Sequence, residues 1–265
     1  MKRIAWATDT HFDFVEQAAF NMFLERLEDA SPDVLLLSGD IAESRNLVEC
    51  LVKLDNHLDC FIYFVLGNHD FYHGSIAGVR GEVRSVCKQR EKLVYLTDEQ
   101  CVEISEGVGL VGHDGWGDGR VGNYQGSTVT LSDFSLIHEL AGLSKQERWA
   151  VLKALGDESA AAIRQSLPQA LERYARVFFV THVPPLRDAC WHNGSVSDDH
   201  WAPLFTCQAV GDVVMEIAGR HRQSELTVLC GHTHSPGKCC PSENVRIITG
   251  GAEYGFPIIN QVFRV

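Results

Sequence analysis

The sequence predicts an α/β fold, and three observations carry that prediction. Short apolar runs of strand length alternate with stretches of three- and four-residue apolar spacing, giving βαβαβ at the front of the chain. The runs Val34–Leu37 and Cys60–Leu66 are nearly continuous rather than alternating, as suits strands covered on both faces. The chain has 265 residues, 45% hydrophobic and 22% charged, which is enough to fill one large core.

Taken in order, Arg3–Ala7 reads as the first strand and Phe14–Leu27 as a helix, ended by Ser31-Pro32. Strand Val34–Leu37, helix Asn46–Asn56, strand Cys60–Leu66 and helix Ser75–Arg90 follow. Val102–Ile104 and Val108–Gly112 suggest a hairpin across Ser105–Gly107, and the Gly-rich Asp118–Thr128 a loop. Ser132–Leu140 and Ser144–Tyr174 read as mostly helical, the second broken near Gly156 and at Pro168. Then come strand Val177–Val180, an aromatic and polar loop Ala189–Pro203, and helix Gln208–His221. Strands Leu226–Cys230, Val245–Ile248 and Ile258–Phe263 close the chain. No repeat, linker or shift of composition marks a second domain. The expectation is one domain over residues 1–265, with a loop and helical insertion at about 113–174.

The formal net charge is −12 and no Lys/Arg block stands out, which argues against binding to a nucleic-acid duplex. An acidic surface also repels phosphorylated molecules at long range, so phosphate chemistry would need a local positive centre. No run of eighteen apolar residues exists, so no membrane span is expected, and the polar Thr8–His11 arrives too soon for a signal peptide. Nine scattered cysteines, with no C-x-x-C pair, read as reduced thiols in a cytoplasmic setting. The adjacent Cys239-Cys240 reads as part of a solvent-side loop.

The chemistry gathers at strand ends. After the first strand comes Asp9-Thr10-His11; after the second, Gly39-Asp40; after the third, Gly67-Asn68-His69-Asp70. Later strands are followed by Thr181-His182 and Gly231-His232-Thr233-His234. Turn chemistry explains any one of these, but not five in register. In open α/β sheets, ligands collect outside the carboxyl ends of strands. Imidazole and carboxylate without thiolate suit Zn, Mn, Fe, Co and Ni. Asp9-x-His11 and His232-x-His234 on extended chain would each point both side chains to one side. Seven candidate ligands are too many for one tetrahedral ion and suit two ions, roughly 3.5–4 Å apart, sharing a carboxylate. Gly39 and Gly231 beside them would allow tight turns and close backbone approach.

In this set and order, Asp9-Thr10-His11, Gly39-Asp40, Gly67-Asn68-His69-Asp70, His182 and Gly231-His232-Thr233-His234, the sequence resembles the calcineurin-like metallophosphoesterase superfamily. The motifs run from near the N-terminus almost to the last strands. The resemblance implies a four-layer α/β/β/α sandwich with mixed sheets and a dinuclear site at the sheet edge. It implies one metal held by Asp9, His11, Asp40 and His234 and a second by Asp40, Asn68, His182 and His232. It implies His69 as general acid or stabiliser of transition-state charge, with Asp70 orienting its ring. Two metal ions (Mn, Fe or Zn, divalent or trivalent) would supply the positive centre and activate a bridging water for attack on a phosphate ester.

The protein Ser/Thr phosphatases of that superfamily usually read Gly-Asp-x-Val-Asp-Arg-Gly, whereas here the stretch is Gly39-Asp40-Ile41-Ala42-Glu43-Ser44-Arg45. Arg45 stands out of register with the phosphate-clamping arginine. The pattern looks closer to the phosphodiesterase and small-molecule phosphatase branches, with a small phosphorylated substrate. A Ser/Thr protein phosphatase, or a non-catalytic scaffold on the same fold, is the alternative. Two further stretches read as possible rim elements: His113-Asp114-Gly115-Trp116, equally readable as a satisfied turn, and the 190–203 loop with its two Trp and two His.

Overall fold

The computed structural model describes residues 1–265. In chain order its elements are β1 (Arg3–Ala7), α1 (Gln17–Ala30), β2 (Val34–Ser38), α2 (Ser44–His57), β3 (Phe61–Val65), α3 (Ile76–Cys87), β4 (Leu93–Tyr95), β5 (Val102–Ser105) and β6 (Val108–His113). There follow α4 (Asp133–Leu136), α5 (Lys145–Arg173), β7 (Arg176–Thr181), β8 (Trp191–His192), β9 (Ser195–Val196), α6 (Ala202–Phe205), α7 (Gln208–Arg220), β10 (Glu225–Cys230), β11 (Gly237–Ser242), β12 (Val245–Thr249) and β13 (Gln261–Arg264).

Two mixed sheets face each other. One runs β13-β1-β2-β3-β4, the other β11-β12-β10-β7-β6-β5. The continuous apolar strands divide by the two-residue period of a strand. Ile4, Trp6, Val34, Leu36, Tyr63 and Val65 point between the sheets and meet Leu110, Phe178, Val180 and Leu229 from the opposite one. Ala5, Ala7, Leu35, Leu37, Ile62 and Phe64 point outward, under the buried faces of α1, α2 and α3. Val177, Phe179, Val228 and Cys230 point outward from the second sheet, under α5 and α7. The result is the four-layer α/β/β/α arrangement. Each fully buried Val, Leu, Ile or Phe contributes about 1.5–3 kcal/mol. Strands β1, β2 and β3 are parallel and level, with Ala7 opposite Leu37 and Leu37 opposite Phe64. β7 and β10 are also parallel. All five therefore deliver their carboxyl ends to one edge of the sandwich.

Several boundaries differ from those read in the sequence. The first helix starts at Gln17 because Phe12–Phe14 forms a 3₁₀ turn, pinned where the Phe12 amide donates to the Ile41 carbonyl at 2.8 Å. The segment Ser132–Leu140 holds only the four-residue α4. The expected break in Ser144–Tyr174 is absent: α5 is one helix of 29 residues that runs through Gly156 and Pro168. Pro168 removes one helical N–H, but Ile163, Leu167, Ala170 and Leu171 on either side of it are buried against the sheet and hold the helix in line. Cys239 and Cys240 are not in a loop; they lie on edge strand β11, antiparallel to β12. The last strand starts at Gln261, since the Asn260 side chain closes the preceding loop by accepting from the Thr8 amide and donating to the Gly251 carbonyl.

Candidate metal centre

The five strand ends meet at the edge where the two sheets come together, and every side chain named above as a ligand candidate reaches that place. Asp9, His11, Asp40 and His234 each offer a ligand atom within 4.8 Å of the others, and so, as a second group, do Asp40, His182 and His232. Asp40 belongs to both. Asn68 Oδ1 lies 3.1 Å from His182 Nε2, on the side of the second group.

How the chain brings them there differs from the extended-strand expectation. Asp9, His11, Asp40, His232 and His234 all have positive φ, between 41° and 72°. The Asp-x-His and His-x-His pairs therefore converge through left-handed turns just beyond their strands. Such backbone costs non-glycine residues about 1–3 kcal/mol each and persists only where the surroundings hold it. Here the hold is visible. The Asp9 amide donates to the Gly39 carbonyl at 3.0 Å, and the His11 amide to the Asp40 carbonyl at 3.0 Å. Asp9 itself accepts from the Thr8 hydroxyl at 2.6 Å and from the His232 amide at 2.9 Å. Gly39 has φ 88°, and a Cβ there would sit 2.7 Å from His182 Nδ1. A Cβ on Gly231 would collide with the Asp9 carboxylate.

Two carbonyls set the ring orientations. A carbonyl only accepts, so the His182 Nδ1, 2.9 Å from the Ser38 carbonyl, carries the hydrogen and Nε2 faces the site. His232 donates its Nε2–H to the Leu204 carbonyl at 3.2 Å, leaving Nδ1 toward the site, 3.2 Å from His182 Nε2.

The donor set fits metal ions better than it fits itself. His11 Nε2 and His234 Nε2 lie 3.0 Å apart, two atoms that attract only if one gives up its lone pair to a proton. Asp40 Oδ1 accepts from the His69 amide at 2.8 Å, but the buried Oδ2 has no hydrogen-bond partner and sits 3.8 Å from His11 Nε2. Fully buried carboxylate oxygens without partners are costly. The charges left to themselves reorganise accordingly. Burial opposes the charge on Asp40, yet His182, His69 and His11 hold it well below the usual carboxylate range. Burial likewise opposes a proton on His182, but Asp40 outweighs it and pushes the ring up to about 10. His232 falls to about 3 through burial and the His182 charge, and His11 falls to about 4 through burial.

His69 opens a short 3₁₀ turn with Asp70 and Phe71. Its ring is partly exposed, with Nε2 4.0 Å from Asp40 Oδ2 and the Tyr72 ring 4.2 Å away. Asp70 does not orient it: the buried His69 Nδ1 has no partner. The Asp70 carboxylate accepts instead from the amides of Ile41 at 2.8 Å, Ala42 at 2.9 Å and Gly67 at 2.7 Å. It points away from the cleft and ties the turn after β2 to the turn after β3.

His113, Asp114 and Trp116 are buried and form no rim. Asp114 accepts from the Leu66 amide at 2.8 Å, the Tyr95 hydroxyl at 2.6 Å, the Thr97 hydroxyl at 2.8 Å and Arg80 Nε at 3.0 Å. It braces the end of β3 from behind. From the 190–203 loop, His192 does line the cleft, a cavity of about 330 Å³ that also takes in Asp40, Asn68, His69, Asp133, Phe205 and Tyr254. Trp201 packs behind, with its ring 4.5 Å from His192 and 5.0 Å from Phe205.

Sequence reasoning missed two neighbours of the site. Asp133 Oδ1 accepts from Asn68 Nδ2 at 2.9 Å and from the Tyr72 hydroxyl at 2.7 Å. Tyr254 lays its ring 4.5 Å from His11 and 5.0 Å from His234. Neither carries a motif: Asp133 opens the four-residue α4, and Tyr254 lies in the irregular segment before β13.

The sequence profile described as calcineurin-like phosphoesterase matches residues 2–236. Among solved structures, a phosphopantetheinyl hydrolase from Mycobacterium tuberculosis superposes with a TM-score of 0.64 at 17% identity, covering 95% of this chain and 89% of that one. A dimetal phosphatase from Danio rerio gives 0.57 at 14% identity, covering 94% and 87%. A protein from Thermus thermophilus gives 0.55 at 12% identity, covering 94% and 89%. At such identities these structures speak for the shared fold. No curated protein matches the chain.

Proposed function

The chain belongs to the calcineurin-like phosphoesterase family, an enzyme family of metal-dependent phosphoester hydrolysis, and from that premise we propose that it hydrolyses a phosphate ester of a small molecule at a site for two metal ions. The observation that carries the proposal is Asp40, a buried carboxylate shared by two ligand clusters, with one oxygen lacking any hydrogen-bond partner.

Asp9, His11, Asp40 and His234 would hold one ion, and Asp40, Asn68, His182 and His232 the other. Mn, Fe and Zn all accept this N/O donor set. Bound there, such ions supply Lewis acidity toward the phosphoryl oxygens and an activated water as nucleophile. The chain's own residues do the rest. The carbonyls of Ser38 and Leu204 keep His182 and His232 in the tautomers that face the site. His69, at the cleft wall with Nδ1 unpartnered, is placed to hold a proton for the leaving oxygen or to stabilise charge developing on the phosphoryl group. Tyr254, Phe205 and His192 wall the cleft and orient the remainder of the substrate.

A small-molecule substrate rather than a phosphoprotein is supported by the cleft lining, which contains neither Arg nor Lys. Arg45 is exposed on α2 and outside that lining.

Metal analysis combined with turnover of p-nitrophenyl phosphate and of bis(p-nitrophenyl) phosphate tests the proposal. The expected result is two ions per chain and hydrolysis of at least one ester, the faster one assigning monoester or diester chemistry. A metal-loaded protein inert to both sinks it.

A further inference from the structure

Beside the cleft lies a second cavity of about 200 Å³, sharing Thr130 with it. Where the cleft is lined by histidines and carboxylates, this cavity is lined by the hydroxyl-bearing Ser127, Thr128 and Thr130 and by Lys145 and Arg148.

The two cations are in an unusual electrostatic position. They stand three residues apart in the first turn of α5, where side chains share a face. Like charges there repel, and the positive end of the helix dipole disfavours both. Neither has a carboxylate within ion-pair distance. Lys145 Nζ donates to the Gln125 carbonyl at 2.9 Å and the Ser127 carbonyl at 2.6 Å, which leaves one of its three hydrogens. The Arg148 guanidinium lies 4.0 Å over the Phe134 ring and donates to the Leu143 carbonyl at 2.9 Å. Its Nε is buried with no partner. In a chain of net charge −12, two cations with no carboxylate partner, in a cavity they share with Thr128, Thr130 and the apolar Val129, Phe134 and Leu204, make a receptor suited to an anion.

We infer that this cavity is a subsite for a second anionic group, a phosphate or a carboxylate, carried by the same substrate whose scissile phosphate enters the metal centre. The inference rests on the reading of that centre as a phosphoesterase site, since it is the shared wall at Thr130 that makes one substrate span both. The substrate class is then a phosphate ester with a distal anion, its phosphate met at the Asp/His cluster and its far end at Lys145 and Arg148.

The test is calorimetric binding, independent of turnover. The probes are phosphonates, which have no ester bond to hydrolyse: the α,ω-bisphosphonates of ethane to hexane, the matching ω-carboxyalkyl phosphonates, and the matching alkyl monophosphonates. At one chain length the wild type should bind a probe with an anion at each end about tenfold tighter than the monophosphonate. The bisphosphonate and carboxylate arms identify which anion it is. Arg148→Gln should erase most of that preference and Arg148→Lys should restore part of it. Thermal unfolding of each variant checks that α5 still packs. The inference is overturned if no probe with an anion at each end binds the wild type tighter than its monophosphonate. It is equally overturned if a folded Arg148→Gln keeps the full preference. Failure of the phosphoesterase reading shows separately, as absence of turnover on the p-nitrophenyl esters.

Discussion

Asn68 donates its side-chain amide to Asp133 Oδ1 at 2.9 Å, and this bond turns the Asn68 carbonyl oxygen to face His182. Without it the amide could rotate and present its NH₂ to the site, where no cation would accept it. Asp133→Ala should therefore weaken metal binding on the His182 side by about 10–100-fold, the usual effect of losing a partner that orients a ligand. Dialysis against limiting Mn followed by elemental analysis measures it. Tyr72→Phe removes the other bond to Asp133 and should leave metal content intact. Equal metal content in wild type and Asp133→Ala would remove Asp133 from this role.

His69→Ala should lower kcat by about 10²–10⁴-fold while leaving the metal content intact. The leaving group separates its two candidate roles. If His69 gives a proton to the leaving oxygen, the loss is severe for alkyl phosphates and mild for p-nitrophenyl phosphate, whose leaving group is stable as an anion. If it stabilises phosphoryl charge, both fall alike. Unchanged kcat on both esters would show that His69 takes no part.

Asp70 behaves differently, because its carboxylate binds three backbone amides rather than the His69 ring. Asp70→Asn keeps the shape but offers one acceptor oxygen to three donors. Each unmet buried donor costs about 1–3 kcal/mol. The expected outcome is a clear fall in Tm, with the residual kcat keeping the wild-type pH profile. A shifted profile at wild-type Tm would instead return Asp70 to the orientation of His69.

That contrast shows what the sequence can and cannot convey about such a site. The convergence of Asp9, His11, Asp40, Asn68, His182, His232 and His234 was legible because ligand-type residues stood at five strand ends, and parallel strands carry their ends to one edge. The four layers were implied by the family resemblance, while the apolar runs, too continuous for one-sided burial, indicated only strands covered on both faces. What stayed hidden depends on contacts distant in the chain. Left-handed backbone at Asp9 and His11 is imposed by the Gly39 and Asp40 carbonyls. The continuity of α5 through Pro168 is imposed by burial on both sides of the proline. Asp133, read in the sequence as one residue of a helical stretch over Ser132–Leu140, shows no role until the fold places it against Asn68.

Behind the site, Arg80 neutralises Asp114, the buried carboxylate that holds the Leu66 amide. Burial opposes the charge on Asp114, but Arg80 and His113 keep it below the usual carboxylate range. A depressed folded-state value contributes stability that is present above the unfolded value of about 3.9 and lost as pH falls through the folded one. Arg80→Met strands the charge, which should cost about 3–5 kcal/mol near neutral pH. As the pH is lowered the stranded carboxyl protonates and the difference from wild type should shrink. Urea unfolding near pH 7 and near pH 4 measures both gaps; a gap that widens in acid contradicts this account.

The contact between His11 Nε2 and His234 Nε2 at 3.0 Å, beside the unpartnered Asp40 Oδ2, makes the folded state of the metal-free chain an uncomfortable one. Ions that bind only the folded chain stabilise it by mass action, about 2.7 kcal/mol at a hundredfold excess over Kd. Chelation should therefore abolish turnover and lower Tm together, and Mn should restore both. In Asp40→Asn the shared carboxylate becomes an amide with a single acceptor oxygen. Mn should then raise its Tm much less than that of the wild type, and the chelated variant should fall below the chelated wild type, because the charge that His182, His69 and His11 stabilise on Asp40 is gone. Scanning calorimetry on the two proteins, each with and without Mn, decides the matter. An equal Mn-dependent rise in both would mean that Asp40 does not hold the ions.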